Sequence, residues 1–405
     1  MKTSDTAGED TGSAWARLAL LVAAFVFLGA RFGPWVLVIA LAFVVIIFLH
    51  ELGHYLTAKS AGMKVTEFFI GFGPRIWSFR RGETEYGIKA IPAGAYVKII
   101  GMHNLEEVDP ADEARTYRAK PTWRRLSVAV AGSTMHFLLA LILVGIVVMG
   151  FGLPRPSTTL TAVPEGPAQE AGIRAGDKIV EFAGRAVSGW DELSDAIRSR
   201  PRESVEVVVE RDGERRTFTT TLATTRRDGQ TVGYLGVAPE FRDVRFGPWT
   251  AVTEMGSVAK QSVVGLGHLF SPSGVSDYVD NLTSAQEGDG SVRLGTPSAN
   301  RPQSIVGIVG VGGQIAERGV INILYLLFAV NIFIGIFNLT PLLPFDGGHV
   351  AIALYEKVRS MISGRRYQAD VAKLMPLTYA VVAVLALIFI TTLYMDIVNP
   401  VDINK

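Results

Sequence analysis

The chain has 405 residues, room for two or three domains and a sizeable core, so a single small module or a fibrous repeat is excluded. Thirty-nine Lys and Arg against 38 Asp and Glu leave none of the basic excess that nucleic-acid binding needs, and the absence of Cys excludes disulfides and Cys-ligated metal sites. Only 19% of residues are charged while 49% are hydrophobic, a balance that points to a membrane.

Residues 1–33 read as an N-terminal tail with a short apolar segment, Leu18 to Ala30, preceded by Arg17. That segment is too short for a plain span and is expected to be membrane-inserted or interfacial. A first core transmembrane helix is predicted over 34–60: it opens with sixteen uncharged residues and ends in His50, Glu51 and His54. Residues 61–122 form a polar region, predicted to be cytoplasmic because the stretch Lys59 to Arg125 carries twelve Lys and Arg. Within it, Ile76 to Ile91 alternates apolar and polar residues about Arg81-Gly82-Glu83, the pattern of a β-hairpin.

A second span is predicted over 123–152, with His136 as its ionisable residue within the apolar run. Residues 155–240 then fall on the other side of the membrane and read as a compact α+β module: strands at Ser204 to Val209 and Thr217 to Leu222, a helix at Trp190 to Ser199, and Gly-rich turns. The stretch 241–319 is expected to be linker, and Ser271 to Pro302, rich in Ser, Gly, Asp and Asn, a loop. A third span covers 320–348, a cytoplasmic segment 349–375 and a last span 376–396. Arg365 and Arg366 place that segment on the same side as the first basic region. The fold class is therefore a polytopic α-helical membrane protein of about four core spans with an inserted α+β domain.

His50-Glu51-Leu52-Gly53-His54 is an H-E-x-x-H sequence on a predicted helix. The i, i+4 spacing stacks both imidazoles on one face as metal ligands, with Glu51 beside them as a base. Three ionisable groups at the end of an apolar helix are costly unless paired, solvated or metal-bound. Catalytic zinc takes three protein ligands and leaves a position for water, so a third ligand has to come from elsewhere. The third apolar block offers one: in Asn338-Leu339-Thr340-Pro341-Leu342-Leu343-Pro344-Phe345-Asp346-Gly347-Gly348 the prolines break the helix. Irregular backbone at membrane depth survives only where it is buried in protein or lines a cavity. Asp346 could there meet the ion, and Gly347 and Gly348 permit close approach.

With these blocks in hand, the sequence resembles the site-2 proteases, intramembrane zinc metalloproteases, and specifically their single-PDZ actinobacterial type. H-E-x-x-H, N-x-x-P-x-x-P-x-D-G-G, and Gly71-Phe72-Gly73-Pro74 leading into Arg81 to Tyr86 all match, in order, between about Pro34 and Met395. The resemblance implies zinc on His50, His54 and Asp346, Glu51 as catalytic base, and Asn338 in substrate handling. Ala171 to Ile179, with Gly184, resembles the G-D signature of a PDZ domain. One departure stands out: where many relatives carry G-P-x-x-N in the second span, Gly132-Ser133-Thr134-Met135-His136 has Ser and His. His136 either reaches the zinc cavity or packs between helices. His103 and His268 are expected to be exposed, while His349, one turn past Asp346, could support it.

The resemblance implies hydrolysis of peptide bonds within or next to the membrane segments of single-span proteins, such as anti-sigma factors already clipped outside, in regulated intramembrane proteolysis. The expected setting is a bacterial plasma membrane, with the PDZ domain outside and the active site near the cytoplasmic side. Partners are then transmembrane substrates, the lipid bilayer and a peptide at the PDZ groove, unless that domain acts as a size filter. The hairpin is either an edge for an added substrate strand or an interfacial anchor. The rival class is a catalytically inactive PDZ-bearing membrane scaffold.

Overall fold

A computed structural model describes residues 33–102, 106–227, 230–284, 292–293, 302–398 and 400–402, with isolated positions between 16 and 30. Most of Leu18 to Ala30, and His103, lie outside the described residues. Among these residues four helices are long and apolar enough to cross a membrane: Pro34–Ser60, Ala131–Phe151, Val320–Asn338 and Val371–Val398.

Helix α1 (Pro34–Ser60) starts with Pro in its first turn, where a missing N–H breaks no helical bond, and rises about 40 Å over its 27 residues at 1.5 Å each. Strands β1 (Val65–Arg81) and β2 (Thr84–Ile99) follow. Their hairpin is longer than predicted and folds back on itself. Phe68 pairs with both Val97 and Tyr86, and Ile70 with both Ala95 and Ile88, so the two bent strands lay four segments side by side in the order 77–81, 84–88, 67–70 and 95–99. Gly71, at φ +89°, helps make the bend, and a Cβ there would lie 2.7 Å from the Ile91 carbonyl oxygen. An alternation pattern shows strand content but not such a fold-back.

Helix α2 (Thr122–Ala129) leads through Val130 into α3 (Ala131–Gly145), which a wider helical turn continues to Phe151. Residues 146–249 are a compact unit of their own. It contains β3 (Leu153–Ala162), α4 (Pro167–Glu170), β4 (Lys178–Phe182), β5 (Arg185–Ala186), α5 (Trp190–Arg198), β6 (Ser204–Arg211), β7 (Glu214–Thr221), β8 (Ala223–Arg227), β9 (Gln230–Tyr234) and β10 (Ala238–Val244). The antiparallel sheet runs β10-β3-β4-β6-β7 with β5 beside β4, and β8 pairs with β9. Val205, Val207 and Val209 alternate inward along β6 and share a core with Leu193 and Ile197 of α5, the period-2 and helical stripes that one buried face requires.

The stretch expected to be linker is instead largely helical: α6 (Pro248–Leu269), α7 (Pro272–Ser284) and α8 (Ile305–Glu317). Polar composition hid α7, which is tied down by a tertiary contact, the Tyr278 hydroxyl on Thr391 of the last span. Helices α9 (Val320–Asn338), α10 (Asp346–Ser363) and α11 (Met375–Val398) complete the chain. The third apolar block stops being helical at Asn338 and restarts at Asp346, with Pro341 and Pro344 between. Ile39, Phe43 and Ile46 of α1 form one core with Ile323 and Leu327 of α9 and Ala316 of α8.

Candidate metal centre

His50 and His54 stand one turn apart on α1 and bring their Nε2 atoms to 3.2 Å from each other. Asp346, the first residue of α10, places Oδ2 3.5 Å from His50 Nε2 and 3.3 Å from His54 Nε2. The restart of α10 is what delivers it. At Gly347 a Cβ would lie 2.2 Å from the Leu339 carbonyl oxygen, and at Gly348 2.7 Å from Leu343 N, so the glycines let the new helix press against the irregular segment.

The three atoms form a triangle with edges of 3.2, 3.3 and 3.5 Å. A tetrahedral ion with ligand bonds of about 2.0–2.1 Å has ligand–ligand edges of about 3.3–3.4 Å, so the triangle fits one. Asp346 Oδ2 is buried and has no hydrogen-bond partner among the described residues. His54 Nδ1 stands 2.8 Å from the Val128 carbonyl oxygen, so Nδ1 carries the hydrogen and Nε2 keeps its lone pair. Acceptor atoms turned on one another in a buried place repel unless a positive charge lies between them. These residues therefore suit a divalent cation, and they are the group of three metal-ligating side chains that the described residues bring together.

Glu51 follows His50 on α1, half-buried, and its carboxylate faces the Val97 backbone N–H of β2. Asn338 ends α9, half-buried, and its amide makes no hydrogen bond among the described residues. Gly132 of α3 packs directly on the imidazoles: a Cβ there would lie 2.3 Å from His50 Cε1 and 2.5 Å from His54 Nε2. His136, one turn on, is buried with its ring centroid 4.9 Å from that of His50, yet bonds to Asn331. It belongs to the wall of the site rather than to the triangle of ligand atoms. His349 turns toward Tyr117, their centroids 6.3 Å apart, and lines a small cavity with Arg125 and Glu356. His268 is exposed, 3.7 Å from Asp277.

Gly132 and Asn331 contribute through spacing and burial that only the packed helices reveal. The Val128 contribution is a backbone carbonyl, which no side-chain pattern encodes.

Residues 38–382 match the model of peptidase family M50. The chain belongs to peptidase family M50. Among its M50 relatives are the zinc metalloprotease Rip1 of Mycobacterium tuberculosis strain H37Rv, 34% identical over 90% of this chain and 98% of that protein, and Rip1 of Mycolicibacterium smegmatis, 34% identical over 92% and 99%. A putative zinc metalloprotease of Clostridium acetobutylicum is 28% identical over 91% and 98%. Membership of M50 makes this a metalloprotease of the site-2 protease type, with helices fit to span a membrane.

Proposed function

We propose that the chain is an intramembrane zinc metalloprotease that hydrolyses peptide bonds within or beside the membrane segments of single-span proteins. The observation that carries this is the buried triangle of His50, His54 and Asp346, supplied by two helices at the ends of apolar runs. Zinc held by these three residues would supply Lewis-acid chemistry, lowering the pKa of water toward about 7 and polarising a carbonyl. Glu51 accepts the proton of the attacking water and returns it to the leaving nitrogen, the base and acid role that its place beside His50 allows. His54, held by Val128, keeps one nitrogen free for the ion throughout.

A membrane helix hides its peptide bonds in its own hydrogen-bond ladder and must be unwound before cleavage. The segment 95–99 is an edge of the folded-back hairpin, and its Val97 faces Glu51, which supports added-strand pairing of an unwound substrate beside the base. Asn338 is assigned a second set of hydrogen bonds to that strand. The basic residues of 59–125 support a cytoplasmic location for the hairpin, and the unit at 146–249 is read as an external PDZ domain that admits only substrates already trimmed on that side. Its groove would take a peptide as an added strand.

The decisive experiment is metal analysis of the purified chain, followed by incubation of a pre-trimmed single-span substrate with the parent and with Glu51→Gln. Zinc in both forms and cleavage by the parent alone are expected. No zinc, or equal cleavage by both, would overturn this reading.

A further inference from the structure

We propose, on the reading of His50 as a metal ligand, that His136 is the positioning residue for the His50 ring and that Asn331 locks His136 in place. The two histidines of α1 differ in how they are held. A ligating imidazole ordinarily ties its second nitrogen to a fixed partner, which sets both ring tilt and tautomer. His54 does this through Val128, whereas His50 Nδ1 is buried, makes no hydrogen bond of ordinary geometry among the described residues and has the Gly132 backbone beside it. The His50 ring is therefore held by packing. Gly132 presses on it from α3, and the His136 ring lies against it at a centroid distance of 4.9 Å and a tilt of 45°.

A wall works only if it is itself rigid. His136 is 3% exposed and Asn331 is fully buried, both in apolar spans, where unpaired polar groups are costly. Asn331 Nδ2 donates to the Leu327 carbonyl at 2.8 Å, which leaves its amide oxygen as the acceptor for His136 Nδ1 at 3.0 Å. The direction of this second bond follows from the first: Nδ1 of His136 carries the hydrogen, and the ring cannot turn without breaking the bond. Asn331 on α9 thus fixes a ring on α3 that fixes a ring on α1. The helix approach this needs is close, since a Cβ at Gly335 of α9 would lie 3.1 Å from His136 Cβ.

The test uses the full chain in detergent, with zinc affinity read by chelator competition and ligand geometry by the visible bands of the Co2+-substituted protein. His136→Ala is expected to weaken zinc binding 10–100-fold and to alter the Co2+ bands. Asn331→Ala keeps the ring but frees it, and is expected to act in the same direction. The pair His136→Phe with Asn331→Leu rebuilds an aromatic wall with no polar groups to satisfy, and is expected to return affinity to within about threefold of the parent. Parent affinity and bands in both alanine variants overturn the proposal, as does a double variant no better than His136→Ala. If His136→Ala does not fold, Asn331→Ala and the double variant decide. His50→Ala separates this from the underlying reading: a parent that binds no zinc, or a His50→Ala chain that binds as the parent does, removes the metal centre itself.

Discussion

His54 Nδ1 and the carbonyl oxygen of Val128 stand 2.8 Å apart, a bond that joins α1 to α2 across 74 residues of sequence. The same stretch of chain, from α2 into α3, has two further duties. Four residues past Val128, Gly132 of α3 meets both imidazoles, and three residues before it Arg125 pairs with Glu356 of α10, the helix that begins with Asp346. One helical connection thus orients one ligand, makes room for two and anchors the element that carries the third.

Gly132→Ala is expected to damage the metal centre without touching a ligand. The added methyl would fall 2.3 Å from His50 Cε1 and 2.5 Å from His54 Nε2, too close for either ring to stay where it is. Displaced ligands should weaken zinc binding by at least the roughly 10–100-fold seen when supporting groups are lost. Gly150→Ala, at a position with nothing within 4 Å of the new methyl, is the matched control and should bind as the parent does. Chelator competition on the two proteins side by side reads the difference, and equal affinities would show that the rings move aside freely.

Glu356→Ala is expected to cost about 3–5 kcal/mol of stability, because it leaves the Arg125 guanidinium buried and uncompensated. Arg125 is 9% exposed and Glu356 7%, and the other Glu356 oxygen already accepts the Ala369 N–H at 2.8 Å. Replacing both ends with apolar residues, Arg125→Met with Glu356→Leu, should recover much of that loss, since the desolvation cost of both charges disappears together. Denaturant unfolding of the two single variants and the double would reveal the coupling. Strictly additive losses would mean that the pair is not what joins α2 to α10.

The ligand helix was legible because i, i+4 spacing is a geometric statement: two His four apart must share a face. Asp346 was legible as a candidate, a carboxylate just past two prolines that break the third apolar block at membrane depth. The hairpin was half legible, since alternation reveals strands but not the fold-back at Gly71 that doubles the register. Helix α7 was hidden because its composition is that of a loop and its support, Thr391, lies more than a hundred residues on. His136 stood out as a departure, but its partner Asn331 is 195 residues away, and pairing at that range is a property of packed helices that one sequence does not display.

Metal removal should loosen the membrane unit reversibly. Without a cation, the Asp346 carboxylate and the two Nε2 atoms face one another at 3.2–3.5 Å, and their repulsion acts between α1 and α10. Restoring zinc to about 100 times its dissociation constant adds about 2.7 kcal/mol to stability. A thermal unfolding midpoint that falls with a chelator and returns with zinc in the parent, but is insensitive to both in Asp346→Ala, is the expected result. A midpoint indifferent to zinc in the parent would count against an ion bound at this triangle.

The unit at 146–249 carries its own acid dependence, through Asp177. Its carboxylate is 1% exposed, and burial alone would raise its pKa. Two hydrogen bonds from Arg211, at 2.7 and 2.8 Å, and one from the Arg174 N–H outweigh that and hold it below the usual carboxylate range. A group whose pKa is depressed on folding stabilises the fold fully above its ordinary value of about 3.9, and that stabilisation is lost as pH falls through the lower folded value. Asp177→Asn, of equal size, removes the charge that Arg211 pairs with and leaves Arg211 its bond to the Gly172 carbonyl. Hydrogen exchange over residues 153–244 of the full chain should then show the parent much better protected than the variant from pH 5 to 7. That gap should shrink below about pH 4, as the parent loses what the variant never had. A gap that stayed constant into acid would mean that the Asp177 charge does not hold this unit together.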